Sequence, residues 1–153
     1  PISSVLANTV HFGIQLCLLM ILCLASGYKP SWAWVWLPIV AAFEILFVCG
    51  LALIFSALDV LIRDTRYLVE SANVVLFWMV PIFYDFNIIP KQYIEIYRLN
   101  PVAAVVMAFR NILLEGKAPA DSLMVRLALV STVFLLLGFW FFGAIKRKFY
   151  DYL

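Results

Sequence analysis

Side chains able to do chemistry are sparse in this sequence. The nearest thing to a pattern is Ser4, Asn8, His11 and Gln15. Spacings of four, three and four put these residues on one face of a helix. The residues between them are mostly apolar, so the face is a polar stripe in a stretch suited to hydrocarbon. Polar groups at that depth must find protein partners or water. The stripe therefore either ties helices together through side-chain hydrogen bonds or forms one wall of a polar pathway. Glu44 stands in the middle of a second apolar stretch. An ionisable group there is a candidate for function, with protonation or a pairing with His11 as the structural alternatives.

Signatures of catalysis are missing. The sequence contains no GxxxxGK[ST] phosphate loop, no HExxH and no GxSxG. One histidine and dispersed carboxylates make no acid–base pair. Cys17, Cys23 and Cys49 all lie in apolar stretches without CxxC or Cys/His spacing. They read as small hydrophobes, and neither a metal nor another cofactor is expected. Aromatic residues gather in two places. Tyr28, Trp32, Trp34 and Trp36 suit an interfacial belt. Phe77, Trp78, Phe83, Tyr84 and Phe86 either pack against lipid and helices or line a path on which sugar rings stack.

Composition dictates the scaffold on which these residues sit. Of 153 residues, 66% are hydrophobic and 13% charged, with a mean hydropathy of +1.04. A soluble domain carries about twice that charged fraction. A lipid environment explains the excess, because lipid-facing side chains must be apolar and charges are costly there. A net charge of +2 gives no reason to expect nucleic acid. The fold class expected is all-α, a polytopic transmembrane helical bundle.

Four spans are expected, at about 5–26, 32–58, 67–84 and 123–145. Each is near the ~20 residues needed to cross a ~30 Å hydrocarbon core. Turn residues Gly27 to Ser31 separate the first two, and Pro38 and Glu44 interrupt the second. Residues 59–66 form a charged loop. The third span carries Glu70, Ser71 and Asn73, so it should be shielded from lipid by neighbouring helices. Arg126 can snorkel from the start of the last span.

Residues 85–122 differ in character, with Pro90, Pro101 and Pro119 and scattered charges. Their apolar run 102–114 is too short to cross and suits a re-entrant or interfacial helix. Asn100 can cap its free amides and Pro101 suits its first position.

Charge density orients the chain. Arg63, Arg66, Lys146, Arg147 and Lys148 fall in short segments on one side. Lys29, Lys91, Arg98, Arg110 and Lys117 are spread over about twice the length on the other. Both termini are therefore expected on the cytoplasmic side. The chain starts at Pro1 with no basic leader, which argues against a cleavable signal and suggests a start inside a longer protein.

The ordered set of motifs resembles a known family. Arg63-Asp64 follows a long span, Pro81-Ile82-Phe83-Tyr84 closes the next, and Pro90 follows. Asn100-Pro101 and Ala108-Phe109-Arg110 come after, and a final span ends in Lys146-Arg147-Lys148-Phe149-Tyr150-Asp151. This order is similar to the membrane (permease) subunit of type 2 ABC transporters, in the branch exporting O-antigen, capsule and teichoic acid. The similarity covers essentially the whole chain, which looks like that subunit from its third span onward.

The resemblance implies a channel-forming subunit of the bacterial inner membrane, without an ATPase site of its own. It would pair with a second permease subunit and bind separate ABC ATPase subunits. ATP turnover there would drive a lipid-linked polysaccharide outward. By position, Arg63, Asp64 and Arg66 match the loop near the ATPase, though they suit lipid headgroups equally. Asp64 alternatively caps the third span. The stretch 90–114 matches outer gate helices, with Asn100, Pro101 and Arg110 at recurrent positions. Asn8, His11, Gln15, Glu44, Phe77, Trp78 and Tyr84 are the candidate path. The rival readings are an exporter of drugs or other lipids on the same architecture, a membrane-embedded transferase acting on lipid-linked sugars, and a purely structural membrane subunit.

Overall fold

A computed structural model describes residues 2–62, 64–80 and 100–146. Among them every regular element is helical. α1 spans Ile2–Ala25, and Gly27, at φ +88°, turns the chain where a Cβ would be strained. A 3₁₀ turn, Trp32–Trp36, leads into α2, Leu37–Leu61. Pro38 does not interrupt this helix. It sits in the first turn, where a missing N–H costs nothing. Asp59, expected in a loop, is still helical.

α3 covers Thr65–Met79, α4 Pro101–Leu113 and α5 Asp121–Lys146. The segments Ile2–Ala25, Trp32–Leu61 and Asp121–Ile145 are long and apolar enough to cross a membrane. α3 has 15 residues, or roughly 22 Å of rise, and the remainder of the expected third span (Pro81 to Tyr84) lies outside the described residues.

α2 and α5 form the main packed pair, and they run parallel. The Ser131 hydroxyl of α5 donates to the Phe43 carbonyl of α2 over 2.7 Å. One turn on, Phe47 and Phe134 meet edge to face with centroids 5.0 Å apart. Another turn on, a Cβ added at Gly50 would lie 2.5 Å from the Phe134 carbonyl carbon. Small residues and hydrogen bonds of this kind hold helices together in lipid, where apolar burial alone gives no preference.

α1 is antiparallel to α2. Val5 to Phe12 lie near Glu44 to Val48, and Cys23 packs with Leu37. Thus α1 ends where α2 and α5 begin.

The core sits at that shared end. α4 lays Ala104, Val105, Ala108 and Ile112 against Cys23, Ala33, Leu37, Val40 and Leu127. α4 starts as expected. The Asn100 side chain accepts from the Val102 amide at 3.0 Å, and Pro101 follows at the first position. Its end is closed by the Arg110 carbonyl, which accepts from Leu114 and Glu115. Gly116, at φ +63°, then passes beside Ser31.

Within the described residues α3 is largely open. Among its described residues Thr65 is the buried one, while Glu70, Ser71 and Asn73 are exposed. No described helix covers that polar face.

Candidate functional site

The polar stripe of α1 exists, and the structure leaves it open. Ser4, Asn8, His11 and Gln15 are all exposed. The packed face of α1, marked by Val5 and Cys23, lies roughly a quarter turn away on the helical wheel. A separate stripe of Leu6, Val10, Ile14, Leu18 and Ile21 is exposed and wholly apolar, as lipid contact requires. The stripe therefore lies beside the α1–α2 contact rather than within it. Asn8 partly satisfies itself by donating to the Ser4 carbonyl at 3.0 Å.

Glu44 does not pair with His11. It is half-buried and lines a small cavity of about 120 Å³ with Val5, Asn8, Thr9, Phe12, Ile45 and Val48. His11 points from a different face of α1 and is exposed. Glu44 Oε2 is buried and has no hydrogen-bond partner among the described residues. Of the candidate path, then, Asn8 and Glu44 share one cavity, and His11 and Gln15 continue along the open stripe.

Phe77 and Trp78 stand on the far half of α3, exposed, with their rings edge to face at 6.1 Å. Tyr84, like Phe83 and Phe86, lies outside the described residues. Phe77 and Trp78 do not line the α1–α2 cavity.

At the end of the bundle away from α4, a groove of about 570 Å³ runs between α1, α2 and α3. Its lining includes Ser4, Asn8, Ser56, Asp59, Thr65 and Arg66. Arg66 is thereby joined to the polar stripe, which the sequence did not reveal. Ser56 was missed altogether, and Asp59 was expected only as the start of the charged loop 59–66. Their signal was a spacing of three at the end of a long helix, which continues the small-residue face of Ala52. Asp64 does not cap α3 with its side chain. Its backbone at φ −87°, ψ 0° is already near helical, whereas a capping residue is extended. The Thr65 hydroxyl instead donates to the Ile62 carbonyl at 2.7 Å. Arg63 lies outside the described residues.

At the opposite end, Asn100, Pro101 and Arg110 are all half-buried on α4. Arg110 is in the last turn, where a cation suits the helix dipole, and it engages another group of the chain.

Comparison with known proteins places this geometry. Residues 1–114 match the family described as ABC-2 type transporter. Two proteins of Klebsiella pneumoniae, each named O-antigen export system permease protein RfbA, are 26% identical over 154 aligned residues, covering 100% of this chain and 59% of theirs. A protein of the same name from Myxococcus xanthus is 28% identical over 137 residues, 88% of this chain and 53% of its own. The chain thus spans somewhat more than half the length of these relatives.

Proposed function

Because this chain belongs to the ABC-2 type transporter family of membrane proteins, we propose that it forms part of the channel wall of a polysaccharide export permease. In this reading the subunit pairs with a second copy and takes its energy from a separate ATPase subunit. Its cargo is a lipid-linked polymer of the O-antigen class, moved out across the bacterial inner membrane. The observation that carries the reading is the similarity, along 88–100% of the chain, to relatives named for O-antigen export.

The described geometry supports specific roles. The open stripe of Asn8, His11 and Gln15 faces the channel or the second subunit, because a polar face does not face lipid. Glu44 sits beside that stripe. The groove with Asp59 and Arg66 marks the cytoplasmic end, and Arg63, Asp64 and Arg66 meet the ATPase there. α4 with Asn100, Pro101 and Arg110 forms part of the outer gate. The parallel run of α2 and α5 also supports a fourth crossing. Two parallel spans begin on the same side, so the chain between them, α3 included, crosses once more.

Deleting the gene in its host tests the reading. Surface polysaccharide should disappear while polymer accumulates inside, and supplying the full-length gene should restore it. Unchanged surface polysaccharide would point to another cargo, such as a drug or a different lipid.

A further inference from the structure

A second groove, of about 330 Å³, lies between α4 and α5 at the end of the bundle that holds the core. This is within the ~300–1,000 Å³ typical of small-molecule sites. One side is polar, formed by Asn111 of α4 with Ser122 and Arg126 of α5; Met107 and Leu123 supply apolar surface. Arg126 is the charged residue among those lining it. Arg126 already engages another group of the chain, but a guanidinium has five N–H donors and can hold that group and an anion together.

The position of Arg126 selects among anions. It lies five residues into α5, roughly 8 Å below the helix start, within an apolar span. From the first turns of a span a guanidinium can reach back to the level of the lipid phosphates. Below it, the face of α5 carrying Ser122 and Arg126 continues as Leu129, Val133, Leu137 and Trp140, all exposed. One helix face thus offers hydrogen-bond donors above and, beneath them, an apolar track that no described residue covers. A soluble anion gains nothing from the track, whereas an amphiphile uses both.

We propose that the α4–α5 groove binds the phosphate headgroup of an anionic membrane lipid, held by Arg126, Asn111 and Ser122, with its acyl chains along Leu129 and Val133. The site is separate from the polar stripe and from Glu44. It anchors the short helix α4 to the bilayer through a lipid.

Native mass spectrometry of the full-length protein, released from detergent with added phosphatidylglycerol or phosphatidylcholine of matched chains, tests this. Phosphatidylglycerol should be retained preferentially. Arg126→Gln should lower its retention by about fivefold, and Arg126→Lys should keep part of it. Ser122→Phe, which fills the groove and leaves the charge, should also lose the preference, so the test does not depend on one variant folding. Inorganic phosphate at equal concentration should not displace the lipid. Wild-type retention in both Arg126→Gln and Ser122→Phe would overturn the proposal, as would equal loss of both lipids. Displacement by inorganic phosphate would reassign the groove to a free anion and overturn the lipid reading.

Discussion

Gly138 of α5 faces Gly50 of α2 so closely that a Cβ on Gly138 would lie 2.6 Å from the Gly50 carbonyl oxygen. Neither backbone can accommodate a side chain there without separating the helices. Overpacking of this kind costs about 1–3 kcal/mol. Gly50→Ala and Gly138→Ala should each lower the unfolding midpoint of the purified full-length protein. Gly13, with nothing within 4 Å of an added Cβ, supplies the control. Gly13→Ala should leave the midpoint unchanged or raise it.

The cap of α4 makes a local prediction. Asn100→Ala removes the acceptor for the Val102 amide and should cost about 1 kcal/mol. Asn100→Asp should retain most of it. Hydrogen exchange at the first turn of α4 should quicken in the alanine variant, with α2 and α5 unaffected. Equal exchange in all three proteins would show the cap to be unimportant.

Glu44 predicts a split between stability and transport. Its Oε2, buried and without a hydrogen-bond partner among the described residues, carries a desolvation cost of about 1–3 kcal/mol. Glu44→Met should therefore hold or raise the thermal midpoint. If the residue serves the path, the same variant should export less polymer at normal abundance. A lowered midpoint with export falling in proportion to abundance would make Glu44 structural.

Parallel α2 and α5 fix which residues share a membrane side. With the Arg66 end cytoplasmic, as proposed, and in a background lacking Cys17, Cys23 and Cys49, Lys29→Cys and Lys117→Cys should react with an impermeant thiol reagent in intact cells. Arg66→Cys should react after the membrane is opened. Labelling of all three in intact cells would contradict the arrangement.

On the proposed function, the charged turn between α2 and α3 meets the ATPase subunit. Asp64→Arg combined with Arg66→Glu should weaken co-purification of the ATPase subunit while the protein's abundance is kept. Unchanged co-purification and unchanged ATP turnover would remove this turn from the interface.

The long helices were legible because each is a long, mostly apolar run bounded by turn residues or charges. Asn100-Pro101 was legible because a cap followed by a first-turn proline is a local signal. Helix partners were not legible. Periodicity assigns Ser4, Asn8, His11 and Gln15 to one face but does not say what that face meets. Glu44 consequently meets Asn8 and Phe12 rather than His11. The α2–α5 contact has a similarly hidden signal, since Gly50 and Gly138 are ordinary glycines until the helices are paired. Asp64 failed as a cap because residue type alone does not reveal that its backbone is already bent toward the helix.

The Ser131–Phe43 hydrogen bond joins positions 88 residues apart, which bears on synthesis. At ~5–20 residues per second, α2 waits roughly 4–18 s for the helix it packs against. During that interval α2 lies without the contact that later locks it to α5. The nascent chain is then most open to capture by an insertase or a membrane protease. Stalling translation before α5 should leave a degradable intermediate, and variants of α5 should be cleared as whole proteins rather than as clipped ones.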